Sequence, residues 1–139
     1  MLVNQIAVFL ENQRGKVKGV TDVLAKAGIS MLTVSIADTK DFGILRAVTD
    51  NNDKAIKVLK ENGYSVIKND LIGIEVEDKP GGLGEVLNVL DELCVDVEYL
   101  YSYALKDGKA VILFKVADIN KTLDLLKDKN VKFIDTKPF

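Results

Sequence analysis

Hydrophobic and polar positions along the chain change period several times, and each change predicts an element. Residues 6–10 form an apolar, partly β-branched run, the mark of a buried strand. Val17, Val20, Leu24 and Ala27 then recur at helical spacing until Gly28 stops the helix. Residues 32–36 alternate apolar and polar with a period of two. Residues 38–41 make a polar turn and residues 44–48 return as a second apolar run, so this stretch predicts a hairpin. Asp53 precedes a segment in which Ala55, Ile56 and Leu59 share a helical face. Asn62-Gly63 closes that helix, and residues 64–67 resume an extended pattern. The first half reads βαββαβ.

The second half repeats the order. Leu83, Val86, Leu87, Leu90, Leu93 and Cys94 follow i, i+3, i+4, i+7 spacing and predict an amphipathic helix. Strands over 98–104 and 110–116 flank Lys106-Asp-Gly-Lys. Asp118 is placed to cap a helix reaching Lys129, with Ile119, Leu123 and Leu126 inward, and a last strand spans 131–135. A displacement of 66 residues lays Ile72 on Ile6, Glu77 on Glu11, Gly81 on Gly15 and Val86 on Val20. After one extra residue in the second half, Lys54, Leu59 and Lys60 meet Lys121, Leu126 and Lys127. The chain is thus an internal duplication, with domains 1–70 and 71–139 and no flexible linker between them. The expected fold class is α+β. Two ferredoxin-like βαββαβ units lie side by side and form one eight-stranded antiparallel sheet with helices on one face. The second strand of each unit is an outer strand whose open backbone groups invite another sheet edge.

Composition narrows the chemistry. Among 139 residues, 19 basic and 21 acidic side chains give a net charge of −2, which offers no electrostatic footprint for nucleic acid or an anionic membrane. Residues 6–10 are too short for a membrane span or a signal-peptide core, so a soluble, cytoplasmic protein is expected. The sequence has no histidine and one cysteine, which excludes an internal disulfide and removes the commonest general base and metal ligand. Cys94 falls on the apolar stripe of its helix and is expected in the core, whereas Asp91-Glu92 lies off that stripe and is expected to face water. No spacing suggests a metal site, a nucleophilic triad or a phosphate-binding loop, so no catalytic residue, metal or cofactor is assigned.

The loops between the first strand and first helix of each half carry the most promising chemistry. They read Asn12-Gln13-Arg14-Gly15-Lys16-Val17 and Asp78-Lys79-Pro80-Gly81-Gly82-Leu83. Glycine allows a tight turn, and the helix behind it presents unsatisfied N–H groups that welcome an anion. A side-chain oxygen of Asn12 or Asp78 can accept hydrogen bonds from an ammonium group. A carboxylate beside an ammonium describes a free amino acid. The plainer alternative has the glycines only permitting the turn, with Asn12 and Asp78 capping the helices. Tyr99, Tyr101 and Tyr103 alternate along one strand and, by alignment with Thr33, Ser35 and Ala37, point away from the helices. They form a subunit interface, a pocket wall or simply a half-exposed strand face.

A strand, then Asp/Asn-x-x-Gly-x-Leu/Val, then an amphipathic helix, followed by Gly-Ile-Ser at 28–30 or Cys-Val-Asp at 94–96, resembles the ACT domain. The resemblance covers nearly the whole chain as a tandem pair. The Asp78–Leu83 copy matches well; the Asn12–Val17 copy lacks the usual proline. It implies a regulatory module that binds amino acids at domain interfaces. The family contacts fall on Asn12 and Ser30 in the first unit and on Asp78 and Asp96 in the second, with loop backbone supplying carboxylate donors. Asn12 with Ser30 is neutral, whereas Asp78 with Asp96 sets two acids near one ligand; Arg14 and Lys16 favour a carboxylate at the first loop. The resemblance therefore leads to a stand-alone amino-acid sensor, not an enzyme. It would bind a small free amino acid at the interface between ACT-like units, form a homodimer, and modulate an enzyme or other partner of amino-acid metabolism. A ligand-free dimerisation or interaction module is the second reading. An acylphosphatase-like enzyme is third, with Arg14 and Arg46 the only arginines available to it.

Overall fold

The computed structural model describes residues 2–11, 13–38 and 41–134. In chain order these form β1 (Leu2–Glu11), α1 (Lys16–Lys26), β2 (Met31–Asp38), β3 (Phe42–Thr49), α2 (Asn52–Glu61) and β4 (Ser65–Glu77). They continue through α3 (Gly82–Glu92), β5 (Tyr99–Ala104), β6 (Lys109–Lys115), α4 (Ile119–Leu126) and β7 (Lys132–Phe133). The class is α+β, as expected. The strand count among the described residues is seven, not eight. The expected last strand of the first half and first strand of the second are one 13-residue element, β4. The physical reason is that neither a proline nor a positive-φ residue interrupts Asn69-Asp70, so the backbone stays extended through the expected boundary.

Contacts divide the chain into a unit of Asn4–Asn69 and a unit running from Asp70 onward that also takes the first residues of β1. In the first unit the strand order is β2-β3-β1-β4. Antiparallel register sets Val8 opposite Leu45 and Ile6 opposite Ala47. These residues point to one face, where Val20 and Leu24 of α1 and Ala55 and Leu59 of α2 complete a buried core with Leu10 and Val66. Burying side chains of this size contributes about 1.5–3 kcal/mol each. The second unit has the corresponding order β5-β6-β4-β7. Its core joins Ile72 and Ile74 to Ile112 and Phe114 beneath Val86, Leu90 and Leu126.

Several local expectations change. Asn51, not Asp53, starts α2: its side chain accepts from the Lys54 N–H, because the helix begins at Asn52 and the cap must precede it. Asp118 caps α4 as expected, accepting from the Lys121 N–H, but α4 ends at Leu126 rather than Lys129. The last strand shortens to two residues, and Asp135 lies outside the described residues. Cys94 is exposed rather than in the core: α3 ends at Glu92, and Cys94 adopts a left-handed conformation (φ 56°) that turns it off the apolar stripe. Val86 and Leu90 carry the buried face of α3, while Leu83 and Leu87 remain 37% exposed. Asp91 and Glu92 face solvent as expected. On β5, Leu100 and Ser102 pair with the core residues Phe114 and Ile112, so Tyr99, Tyr101 and Tyr103 lie on the face away from the helices.

Candidate functional site

Two turns, one per unit, share a single backbone design. In the first, the Gln13 N–H donates to the Glu11 carbonyl (2.7 Å) and the Lys16 N–H to the Gln13 carbonyl (3.3 Å). In the second, 66 residues on, Lys79 donates to Glu77 (3.0 Å) and Gly82 to Lys79 (3.0 Å). Gly15 (φ 87°) and Gly81 (φ 89°) are the N-cap residues of α1 and α3, both left-handed, a conformation glycine adopts without steric cost. Among the described residues no side chain caps either helix, so Asp78 does not fill the capping role considered for it. Asn12 lies outside the described residues. α2 and α4, by contrast, are each closed by a side chain. The helices that follow the glycine turns thus begin with backbone donors that no side chain of the described residues takes up, and with the positive end of the helix dipole.

Around these turns Gln13, Arg14, Asp78, Lys79, Pro80 and Gly81 are exposed, Val17 and Leu83 are partly so, and Gly82 is buried. A Cβ on Gly82 would overlap the Glu77 carbonyl oxygen, so the start of α3 presses directly on the end of β4. The Asp78 N–H donates to the Gly108 carbonyl (2.8 Å), which ties this turn to the β5–β6 connection. Ser30 and Asp96 are not brought to these turns within their own units. Each follows the far end of its 11-residue helix, a rise of about 16 Å away. There Ser30 exchanges bonds with Asp50, its N–H to Oδ1 (3.1 Å) and its carbonyl from the Asp50 N–H (3.0 Å). Asp96 borders a separate depression with Asp118 and Lys121.

Beside each turn lies a cleft of about 340 Å3, at matching places in the two units. In the first unit it runs from the end of β1 to residues 62–65, and Lys16 stands on its rim. In the second it is walled by the end of β4, by Glu85, Val86 and Val89 of α3, and by Val131. Two ion pairs edge this cleft, Lys132 with Glu75 (2.5 Å) and Lys109 with Glu77. The hydrogen bond and charge of Lys109 hold the Glu77 carboxyl below the usual carboxylate range, and Glu77 in turn raises Lys109. Of the sequence-predicted residues that the structure describes, Lys16 alone lines either cleft. Tyr64, Glu85 and Val131 were missed. The signal that could have found them is in the internal alignment, where Gly19 meets Glu85 and Tyr64 meets Val131. Among the described residues no cluster of three or more His, Cys, Asp or Glu could hold a metal ion. Among the described residues no helix is long and apolar enough to cross a membrane.

The sequence model of the ACT domain pair matches residues 1–139. The crystal structure of protein BT0572 from Bacteroides thetaiotaomicron is similar to this chain at 37% identity with a TM-score of 0.90, covering 99% of this chain and 95% of that one. The regulatory subunit of aspartate kinase from Thermus thermophilus, in its ligand-free form, has a TM-score of 0.62 at 14% identity, covering 94% of this chain and 95% of that one. That from Thermus flavus has 0.60 at 14%, covering 91% and 94%. At such identity the two Thermus proteins show a shared fold. No curated protein sequence matches the chain.

Proposed function

The chain belongs to the ACT domain pair family, a regulatory domain type, and from that membership we propose that it is a cytoplasmic amino-acid sensor that modulates an enzyme of amino-acid metabolism. One observation carries the reading: α1 and α3 start on left-handed glycines with no side-chain cap among the described residues, while α2 and α4 are capped by Asn51 and Asp118. A free amino acid complements such a start, its carboxylate accepting from the open N–H groups of the first helical turn. Asn12 in the first turn and Asp78 in the second are the acceptors for its ammonium group, and Arg14 and Lys16 add positive charge beside the first. Gln13, Val17, Lys79, Pro80, Gly82 and Leu83 shape the two turns. Ser30 and Asp96 contribute through another copy of the chain.

A coupling of about 1–3 kcal/mol between amino-acid binding and partner binding is enough for regulation. Thermal unfolding in the presence of each amino acid tests the reading. A ligand at about 100 times its Kd adds about 2.7 kcal/mol of stability and raises Tm, and Gly81→Val, which forces a β-branched side chain into the left-handed region, removes the shift. A flat panel across all amino acids would overturn the proposal.

A second reading, an interaction module that dimerises without a ligand, is favoured by β2. Val34 and Ile36 pair with Ala47 and Leu45 and so face the helix side of their strand, yet stay 48% and 51% exposed on an outer strand. Sedimentation without ligand separates the two: a homodimer lost in Ile36→Lys, together with a flat amino-acid panel, supports the module.

A further inference from the structure

The two turns, each taken with the cleft beside it, carry opposite charge. In the first unit the charged residues are Glu11 at the end of β1 and Arg14 and Lys16 in the turn, a surplus of one base. In the second they are Asp78 and Lys79 in the turn, with Glu75, Glu77, Glu85, Lys109 and Lys132 around the cleft, a surplus of one acid. The reversal is written in the internal alignment. Arg14 and Lys16 give way to Pro80 and Gly82, whereas Asn12 and Gly19 give way to Asp78 and Glu85; only Lys79, opposite Gln13, runs the other way.

Within the second cleft one carboxylate is left over. Lys132 pairs with Glu75 (2.5 Å) and Lys109 with Glu77, so each lysine already has its acid. Glu85 is exposed in the first turn of α3 and makes no ion pair among the described residues. Helical side chains lean toward the helix N-terminus, which keeps the Glu85 carboxylate within a side chain's reach of the turn proposed to hold the amino and carboxylate groups. Beside it Val86, Val89 and Val131 give the cleft an apolar wall.

We propose that the second unit's cleft selects an amino acid whose side chain is an aliphatic stem ending in a positive charge, and that the first unit's turn disfavours the same ligand. The stem packs on the three valines, and Glu85 accepts from the cationic tip. Arg14 and Lys16 repel such a side chain and favour a dicarboxylic one. That the stem belongs to an amino acid rests on the sensor reading above; the free carboxylate beside an apolar wall does not.

The probes are L-lysine, L-norleucine, which keeps the stem and lacks the ammonium, L-glutamate, and n-butylamine, which is the lysine side chain without its amino-acid group. Each is titrated into the full chain and followed by NMR. L-lysine and n-butylamine are expected to shift the methyl signals of Val86, Val89 and Val131. L-lysine should bind about threefold to fivefold more tightly than L-norleucine, the range of an exposed ion pair, with the margin shrinking as salt is added. Glu85→Gln should erase that margin, and L-glutamate should shift the Gly15 amide before the Gly81 amide. Equal binding of L-lysine and L-norleucine, a margin that survives in Glu85→Gln, or L-glutamate reaching Gly81 first overturns the inference. If another amino acid binds while neither amine moves these valines, the inference falls and the sensor reading stands. If n-butylamine moves them in the unaltered chain but not in Glu85→Gln, and no amino acid binds, the reverse holds.

Discussion

The two units share a backbone plan and part company at a handful of side chains. Both open their first helix on a left-handed glycine with the same pair of turn hydrogen bonds, and both close their second helix start with an Asn or Asp side chain. They differ at the first helical residue (Lys16 against Gly82), just past the helix end (Gly28 against Cys94) and across the cleft (Gly19 and Tyr64 against Glu85 and Val131). Positions with a backbone requirement are thus mostly retained, while those facing a cleft have diverged. After duplication, the dihedral angles of the turns are what the fold demands, and cleft-facing side chains are where the two copies acquire separate chemistry.

The largest effect should come from the first helical residue. Gly82→Ala drives a Cβ into the Glu77 carbonyl oxygen, which is backbone and cannot swing aside. We expect a loss of about 1–3 kcal/mol, read as a lower denaturation midpoint in urea. Lys16→Ala, at the matching place, already has room for its Cβ and should stay within about 0.5 kcal/mol. Equal losses would mean that the two helix starts are not built differently.

Next come the caps. Asn51→Ala and Asp118→Ala each remove a side-chain acceptor from a helix start and should cost about 1 kcal/mol. Asp78→Ala removes no cap and should leave the denaturation midpoint unchanged while weakening amino-acid binding. A stability loss at Asp78 comparable to that at Asp118 would break the contrast on which the sensor reading stands.

A smaller and opposite effect is expected past the helix ends. Gly28 (φ 71°) and Cys94 (φ 56°) occupy the same left-handed position, but Cys94 has a Cβ that this region disfavours by about 1–2 kcal/mol. Glycine there loses about 0.5–1 kcal/mol through its freer unfolded chain. Cys94→Gly should therefore stabilise the protein by about 0.5–1 kcal/mol, and Gly28→Ala should destabilise it. A Cys94→Gly variant with a lower unfolding midpoint would show that the thiol makes a compensating contact.

Much of this frame was legible in the residues. Helical periodicity and the two copies of x-x-Gly gave the element order and the turns, because each depends on local dihedral preference. The merging of two expected strands into β4 was not legible, since Asn69-Asp70 carries turn-favouring side chains on a backbone that neighbouring strands keep extended. Cys94 was misplaced because a helical stripe extrapolated two residues too far lands on a left-handed residue. The grouping of Ser30 with Asn12, and of Asp96 with Asp78, came from resemblance; a single unit sets Asp78 and Asp96 at opposite ends of α3, and Asn12 lies outside the described residues. Tyr64 and Val131 escaped notice because their contacts span more than 40 residues of chain, a distance that periodicity does not register.

The smallest effect concerns the sheet face away from the helices, where Tyr103 has Ala37 as its first-unit counterpart. Burial pushes the Tyr103 hydroxyl up to about 12, because loss of hydration disfavours the charged phenolate. The folded value lies above the ordinary one of about 10, so the neutral form is the one the fold favours. The contribution is therefore intact below about pH 10 and is lost as pH rises toward 12. Near-ultraviolet absorbance should show a phenol ionising late in wild type and missing in Tyr103→Phe, and only the wild type should lose stability more steeply across that window. Because Ala37 carries no titrating group, the first unit should add nothing to this slope; a Tyr103→Phe variant with the wild-type pH profile would place the alkaline sensitivity elsewhere.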